Sequence, residues 1–192
     1  STYWGFQGTN VFVFSDILGN HRMTLGTEMY LDLKDSDYYL SYQYLKERMD
    51  YYFTGFHMAN FYGYFGEMFR WRNYGIDLVA SYPFSKFTRL ESGFMWYNLQ
   101  QSWVNLNTGE SEKINEFNTI LPRTALVYDN SMWGYFYPES GWRNRLDLVA
   151  SPKYNQDALE FVKLKADVRK YVKLGGHYSF AFRLASGISL GA

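Results

Sequence analysis

The sequence predicts an all-β protein, a transmembrane antiparallel up-and-down β-barrel with about ten strands in this chain. Three observations carry that prediction. Apolar and polar residues alternate with period two in run after run, and many runs approach the ~9–11 residues that cross a bilayer when tilted. Aromatic residues make up 21% of the chain, as 19 Tyr, 16 Phe and 6 Trp, more than an ordinary soluble core requires. Rings with an apolar body and a polar tip suit a membrane interface. No window of about 18 apolar residues is present, so a helical span is excluded by length.

The alternation is clearest from Arg22 to Leu33. One face reads Met23, Leu25, Thr27, Met29, Leu31 and Leu33, the other Arg22, Thr24, Gly26, Glu28, Tyr30 and Asp32; a helix would mix the two sets. Lys34, Asp35, Ser36 and Asp37 form a turn. Beyond it Tyr38, Leu40, Tyr42 and Tyr44 alternate with Tyr39, Ser41, Gln43 and Glu47, which predicts a hairpin. The pattern returns in Tyr74, Ile76, Leu78, Ala80 and Tyr82 against Asn73, Gly75, Asp77 and Ser81. It returns again in Val162, Leu164, Ala166 and Val168 against Lys163, Lys165, Asp167 and Arg169. In all, runs start near residues 9, 22, 38, 51, 72, 87, 117, 141, 158 and 177. Pro83 suits the turn Pro83, Phe84, Ser85, Lys86, and Pro122 predicts a bulge or a strand edge, because proline cannot donate to a ladder.

No Pro-rich or Gly/Ser-rich hinge divides the chain, so residues 1–192 read as one transmembrane barrel domain or barrel segment. The 19 Lys and Arg balance the 19 Asp and Glu, which argues against nucleic acid as a partner. The absence of Cys excludes thiolate metal sites, disulfides and a Cys nucleophile. Ser1 to Gly8 lack the basic and apolar regions of a signal peptide, so either that peptide is removed or the chain begins inside a larger protein.

Alternation alone does not choose between a soluble barrel and a membrane barrel; volume and charge do. Turned inward, the charged faces supply Arg22, Arg89, Arg123, Arg143, Arg145, Lys163, Lys165, Arg169 and Arg183. Facing these are Glu28, Asp32, Glu47, Asp77, Glu91, Asp129, Asp147 and Asp167. A watery lumen accommodates such pairs, with Glu28, Asp77, Arg89, Glu91, Arg123, Arg145, Asp147, Lys165 and Arg183 as the predicted network. An apolar lumen would have to swallow too many rings. Leu25, Leu78, Leu148, Leu164 and Phe182, mid-run on apolar faces, are then expected against lipid. An open sheet edge in hydrocarbon leaves costly unpaired amides. Ten strands could close by themselves, or their edges could pair with further strands.

Catalytic and metal readings have thin support. His21 sits in a tight turn, His57 is assigned to the polar face of its strand, and His177 opens the last strand; none shares a motif with another. Polar lumen or rim positions account for all three, since His is a ready donor and acceptor. Ser41, Ser92 or Ser179 with a His and an acid could form a hydrolytic group, but no spacing selects one. Trp96, Trp103, Trp133 and Trp142 read as interface residues near strand ends. No catalytic residue, metal ligand or cofactor is assigned.

Three segments resemble a known family. Phe14, Ser15, Asp16, Ile17, Leu18, Gly19, Asn20 and His21 resemble the strand and tight turn near the barrel start of the BamA and TamA superfamily, also called bacterial surface antigens. Gly134, Tyr135, Phe136, Tyr137, Pro138, Glu139, Ser140, Gly141, Trp142 and Arg143 resemble its Gly-Tyr-Phe-Pro-x-x-Gly turn and Arg-bearing strand. Asp167, Val168, Arg169, Lys170 and Tyr171 resemble its Asp-x-Arg-x-Tyr strand. Order and spacing match from about residue 9 to the end.

The resemblance implies a sixteen-stranded barrel preceded by periplasmic POTRA repeats, with a Val-Arg-Gly-Phe/Tyr loop folded into the lumen. This chain carries neither repeats nor loop motif, and it resembles strands two to eleven. The family's gate between first and last strands therefore maps to no residue here. The implied function is insertion or translocation of outer-membrane proteins, not enzymatic, in the bacterial outer membrane. The implied partners are the lipid bilayer, unfolded outer-membrane protein clients, the missing barrel strands and POTRA domains. The rival expectations are a self-contained ten-stranded structural or small-pore barrel and an outer-membrane barrel hydrolase. The length of the reading frame discriminates the first two readings.

Overall fold

The computed structural model describes residues 8–29, 35–64, 67–105, 110–155, 158–176 and 178–191. Ten long strands run through them: β1 Gly8–Ser15, β2 His21–Met29, β3 Asp37–Tyr44, β4 Asp50–Tyr64, β5 Glu67–Pro83, β6 Thr88–Val104, β7 Ser111–Asp129, β9 Pro138–Ser151, β10 Phe161–Gly175 and β11 Tyr178–Gly191. A two-residue strand, β8 (Met132–Trp133), lies off the main path and pairs with β9. Each long strand pairs antiparallel with its neighbours in sequence order, an up-and-down meander. The class of fold expected from the alternation is therefore present as one continuous antiparallel sheet.

Closure is not. Among the described residues β1 and β11 do not pair, and the sheet ends at two free edges. Val11 and Val13 on β1 and Leu184 on β11 are 64%, 70% and 73% exposed.

Register assigns the two faces. Asp77, Glu91, Arg123, Arg145, Asp147, Asp167 and Arg183 fall on one of them, together with Glu28 on β2 opposite Thr9 and Asp37. The other face carries Leu25, Leu78, Phe94, Leu126, Leu146, Leu148, Leu164 and Phe182. Apolar residues buried in the structure number three among those described, Ala59, Ala125 and Val127. Leu126, Leu146, Leu148 and Leu164 each remain more than 40% exposed. The sheet thus turns its large apolar side chains outward and packs no hydrophobic core beneath them, the reverse of a soluble fold.

β5, β6 and β7 are 17, 17 and 19 residues long, well beyond a bilayer crossing of ~9–11. Their extra length lies at one end, where Glu67–Arg70 extend β5 and Ser111–Asn115 extend β7. At that end β7 loses its β9 neighbour below Arg123, and Pro122 is the first residue without one. The missing amide of Pro122 thus falls where β7 becomes a sheet edge. Pro83 closes β5 ahead of its turn.

Three local assignments differ from expectation. His57 lies in alternation with Tyr51 and Phe53 on the apolar face, between Tyr38 and Tyr74 in register, not on the polar one. Glu47 falls in the turn after Tyr44 rather than on β3. Trp103, opposite Phe69, shares the face of the charges and does not point toward the apolar band. Tyr30, Leu31, Asp32, Leu33, Lys34 and His177 lie outside the described residues.

Candidate functional site: the ion-paired face

Small residues make room for the charges. A Cβ on Gly93 would come within 2.1 Å of the Leu78 carbonyl oxygen, so β5 and β6 approach there more closely than any side chain permits. Arg123, opposite Gly93, reaches across β6 to Asp77 on β5 at 2.5 Å. Arg145 on β9 likewise reaches across β7 to Glu91 on β6 at 2.7 Å, over a face where Ala125 and Val127 are the intervening residues. Arg89 joins Glu91 at 2.8 Å, and Asp147 binds Arg145 at 2.8 Å. These groups line a hollow of about 510 Å³ with Asp50 and Tyr52 at its side.

A second cluster sits on β10 and β11. Asp167 accepts from Arg169 at 2.8 and 2.9 Å and from Arg183 at 3.0 and 2.7 Å. Lys165 stands opposite Asp147 in register, but that carboxylate is engaged by Arg145, and the lysine stem lies beside Gly187. The structure therefore assembles Asp77, Arg89, Glu91, Arg123, Arg145 and Asp147 in one place and Asp167, Arg169 and Arg183 in another. Glu28 lies apart on β2.

The motif residues fall into two groups. Gly141 and Tyr171 are register partners, as are Arg143 and Arg169. The turn Gly134–Arg143 and the strand Asp167–Tyr171 thus lie side by side. Gly141, at φ 103°, has its Cα hydrogen where a Cβ would meet the Asn130 carbonyl oxygen at 2.5 Å, so only glycine fits. Around it the Gly134 amide donates to the Tyr137 carbonyl, Arg143 meets Asp129 at 3.5 Å, and Glu139 pairs with Lys173. Pro138 accepts from Ser179 on β11, while Tyr135 is 94% exposed at the tip. The first motif is distant, on edge strand β1: the Ser15 hydroxyl donates to the Asp16 carbonyl, Asp16 accepts from the amides of Gly19 and His21, and the turn closes.

Chemistry of the hydrolytic kind lacks its geometry among the described residues. His21 meets Tyr42 Oη at 2.8 Å and His57 meets the Ser36 carbonyl at 2.9 Å, neither beside Ser41, Ser92 or Ser179. Among the described residues no three of His, Asp and Glu converge as metal ligands.

Sequence reasoning missed a polar network on the apolar side of the sheet. Toward the extended end of β5–β7 that face changes from Ile76, Trp96 and Ile120 to Tyr74, Asn98 and Asn118, then Arg72, Gln100 and Glu116. Trp96 Nε1 and Tyr154 Oη both donate to Asn118 at 2.8 Å, and Gln100 links Arg72, Tyr74 and Glu116. The available signal was the loss of alternation in Asn98, Leu99, Gln100, Gln101, Ser102. No protein-family model matches the chain, and no curated protein matches it.

Proposed function

We propose that this chain is a bacterial outer-membrane β-barrel, or a segment of one, resembling the membrane domain of a factor that inserts or translocates outer-membrane proteins. The observation that carries the membrane reading is the inversion of the sheet. A band of exposed apolar side chains, interrupted by Ser92 and Thr124, crosses β5, β6, β7, β9 and β10 on one face, and ion pairs span strands on the other. Hydrocarbon takes the first face and a watery lumen the second. On β5 the band runs from Ile76 to Tyr82, ~20 Å along the strand and ~15 Å along the bilayer normal at a tilt of ~40°, which fits within the ~25 Å apolar height of such barrels. The other boundary carries Trp142 under the Lys170 ammonium, 4.2 Å from its ring centroid, the pairing of aromatic and cation that suits a headgroup layer.

The assembly role is supported by the juxtaposition of the Gly134–Arg143 turn with the Asp167–Tyr171 strand. The self-contained barrel is a second reading with its own support: β1 and β11 run in opposite directions by strand count and could pair with each other.

Two measurements test the proposal. Refolded into vesicles, the chain should show tryptophan quenching by brominated lipids and a strand tilt near ~40° by polarised infrared spectroscopy; a protein that stays outside the bilayer overturns the membrane reading. The polypeptide of the complete reading frame should speed folding of an unfolded barrel client in liposomes, scored by protease resistance. Rates equal to empty liposomes overturn the assembly role.

A further inference from the structure

Among the described residues, the polar network above the apolar band contains one cation without an anionic partner. Arg70 is held by Asp35 at 3.0 Å and by the Ser111 hydroxyl at 2.8 Å. Lys113 is held by Glu116 at 2.6 Å. Arg72, between them on the same face, donates to the neutral Gln100 side chain at 3.1 Å, and its Nε has no acceptor. On the same face the next row toward the band is Tyr74, Asn98 and Asn118, and the one after it Ile76, Trp96 and Ile120.

We infer that Arg72, flanked by Arg70 and Lys113, holds the phosphate of an anionic lipid headgroup in the leaflet at the extended end of β5–β7. The inference rests on the membrane reading above and gives it a specific ligand.

Depth supports the assignment. Arg72 lies ten residues from Tyr82, at the other end of the apolar band on the same face of β5. That is ~33 Å along the strand and ~25 Å along the bilayer normal at a tilt of ~40°, the apolar height of such barrels, so Arg72 stands where the headgroup layer begins. Preorganisation supports it as well. Gln100 is fixed by Tyr74 and Glu116, and Asn98 by Glu116, so the guanidinium sits on a scaffold that is already ordered. A guanidinium offers paired donors that match phosphate oxygens, and the Trp96 indole, tied to Asn118, provides the apolar flank for the upper acyl chain.

The test uses this chain in nanodiscs of phosphatidylcholine with a minor fraction of phosphatidylglycerol, with lipid retention read by native mass spectrometry after gentle extraction. The wild-type protein should retain phosphatidylglycerol preferentially. Arg72→Gln should lower that retention about tenfold, the size expected for a charge-assisted pair, and Arg72→Lys should restore part of it. Lys170→Gln, at the opposite boundary, should leave it unchanged. Tryptophan quenching by brominated lipid is measured on every variant. Insertion without preference for phosphatidylglycerol, or an Arg72→Gln protein that inserts and retains it as the wild type does, overturns this inference alone. Failure of the wild type to insert overturns the membrane reading and this inference with it. Inorganic phosphate should compete weakly, since it lacks the anchoring chains; displacement of the lipid by phosphate at equal concentration would make the site one for free phosphate and overturn the lipid assignment.

Discussion

Arg145 reaches Glu91 at 2.7 Å across an entire intervening strand. The span is possible because β7 presents Ala125 and Val127 on that face, 4% and 3% exposed. Enlarging the smaller of the two therefore tests the whole arrangement. Ala125→Leu should push the guanidinium off Glu91 and destabilise the protein by about 1–3 kcal/mol, the usual cost of overfilling a packed site. Denaturant titration in lipid measures it. A double-mutant cycle on Glu91 and Arg145 should give a clear coupling energy in the parent and a much smaller one in the Ala125→Leu background; unchanged coupling would mean that the pair does not depend on the gap.

The second cluster should behave as a unit. Asp167 neutralises two guanidinium groups, so Asp167→Asn leaves Arg169 and Arg183 adjacent and uncompensated. The double variant Asp167→Asn, Arg183→Gln should be less destabilised than the sum of the singles by about 0.5 kcal/mol or more. The 60% exposure of Arg183 keeps that figure near the low end. Strict additivity would show that the pairs act independently.

Arginine placed at Leu78, Leu148 or Leu164 should cost about 2–4 kcal/mol if the position is near the bilayer midplane, and less toward either boundary. Leu25 and Phe182 are sampled in the same series. Spin labels at the five sites should be relaxed by oxygen dissolved in the acyl chains and shielded from a water-borne nickel chelate. Access to the nickel reagent at Leu78 or Leu148 would place that face in water.

The free edge of β11 makes a prediction of its own. In an antiparallel ladder the amides of an edge strand alternate between bonded and outward-facing. While the sheet stays open, outward-facing amides of Tyr178–Gly191 should exchange quickly and the alternate ones slowly. Uniform protection in lipid would report that β11 has found a partner strand. Cysteines at Phe12 and Leu184 would then reveal by cross-linking whether that partner is β1.

Much of this architecture can be read from alternation, because a strand with two different faces writes period two into its sequence. Runs expected near residues 9, 22, 38 and 51 begin at Gly8, His21, Asp37 and Asp50. The side of the sheet on which Asp167 and Arg169 meet follows from their spacing of two. What the sequence hides depends on register between strands. Arg123 with Asp77, and Arg145 with Glu91, are 46 and 54 residues apart, and no local pattern links them. His57 misled because its polarity was given more weight than its parity with Tyr51 and Phe53. The boundary network was obscured for a related reason. Arg72, Gln100 and Glu116 interrupt the alternation, and polar residues on both faces look like an approaching loop when strands are expected to stop at the membrane.

The meander also sets the order in which the sheet can be built. Every long strand pairs with the one made just before it, so each ladder closes over a short connection and little chain entropy is spent in waiting for a distant segment. A partly formed sheet always presents its latest strand as the template for the next one. Growth can then proceed hairpin by hairpin from β1 toward β11, and among the described strands no pairing has to wait for a partner far away in the chain.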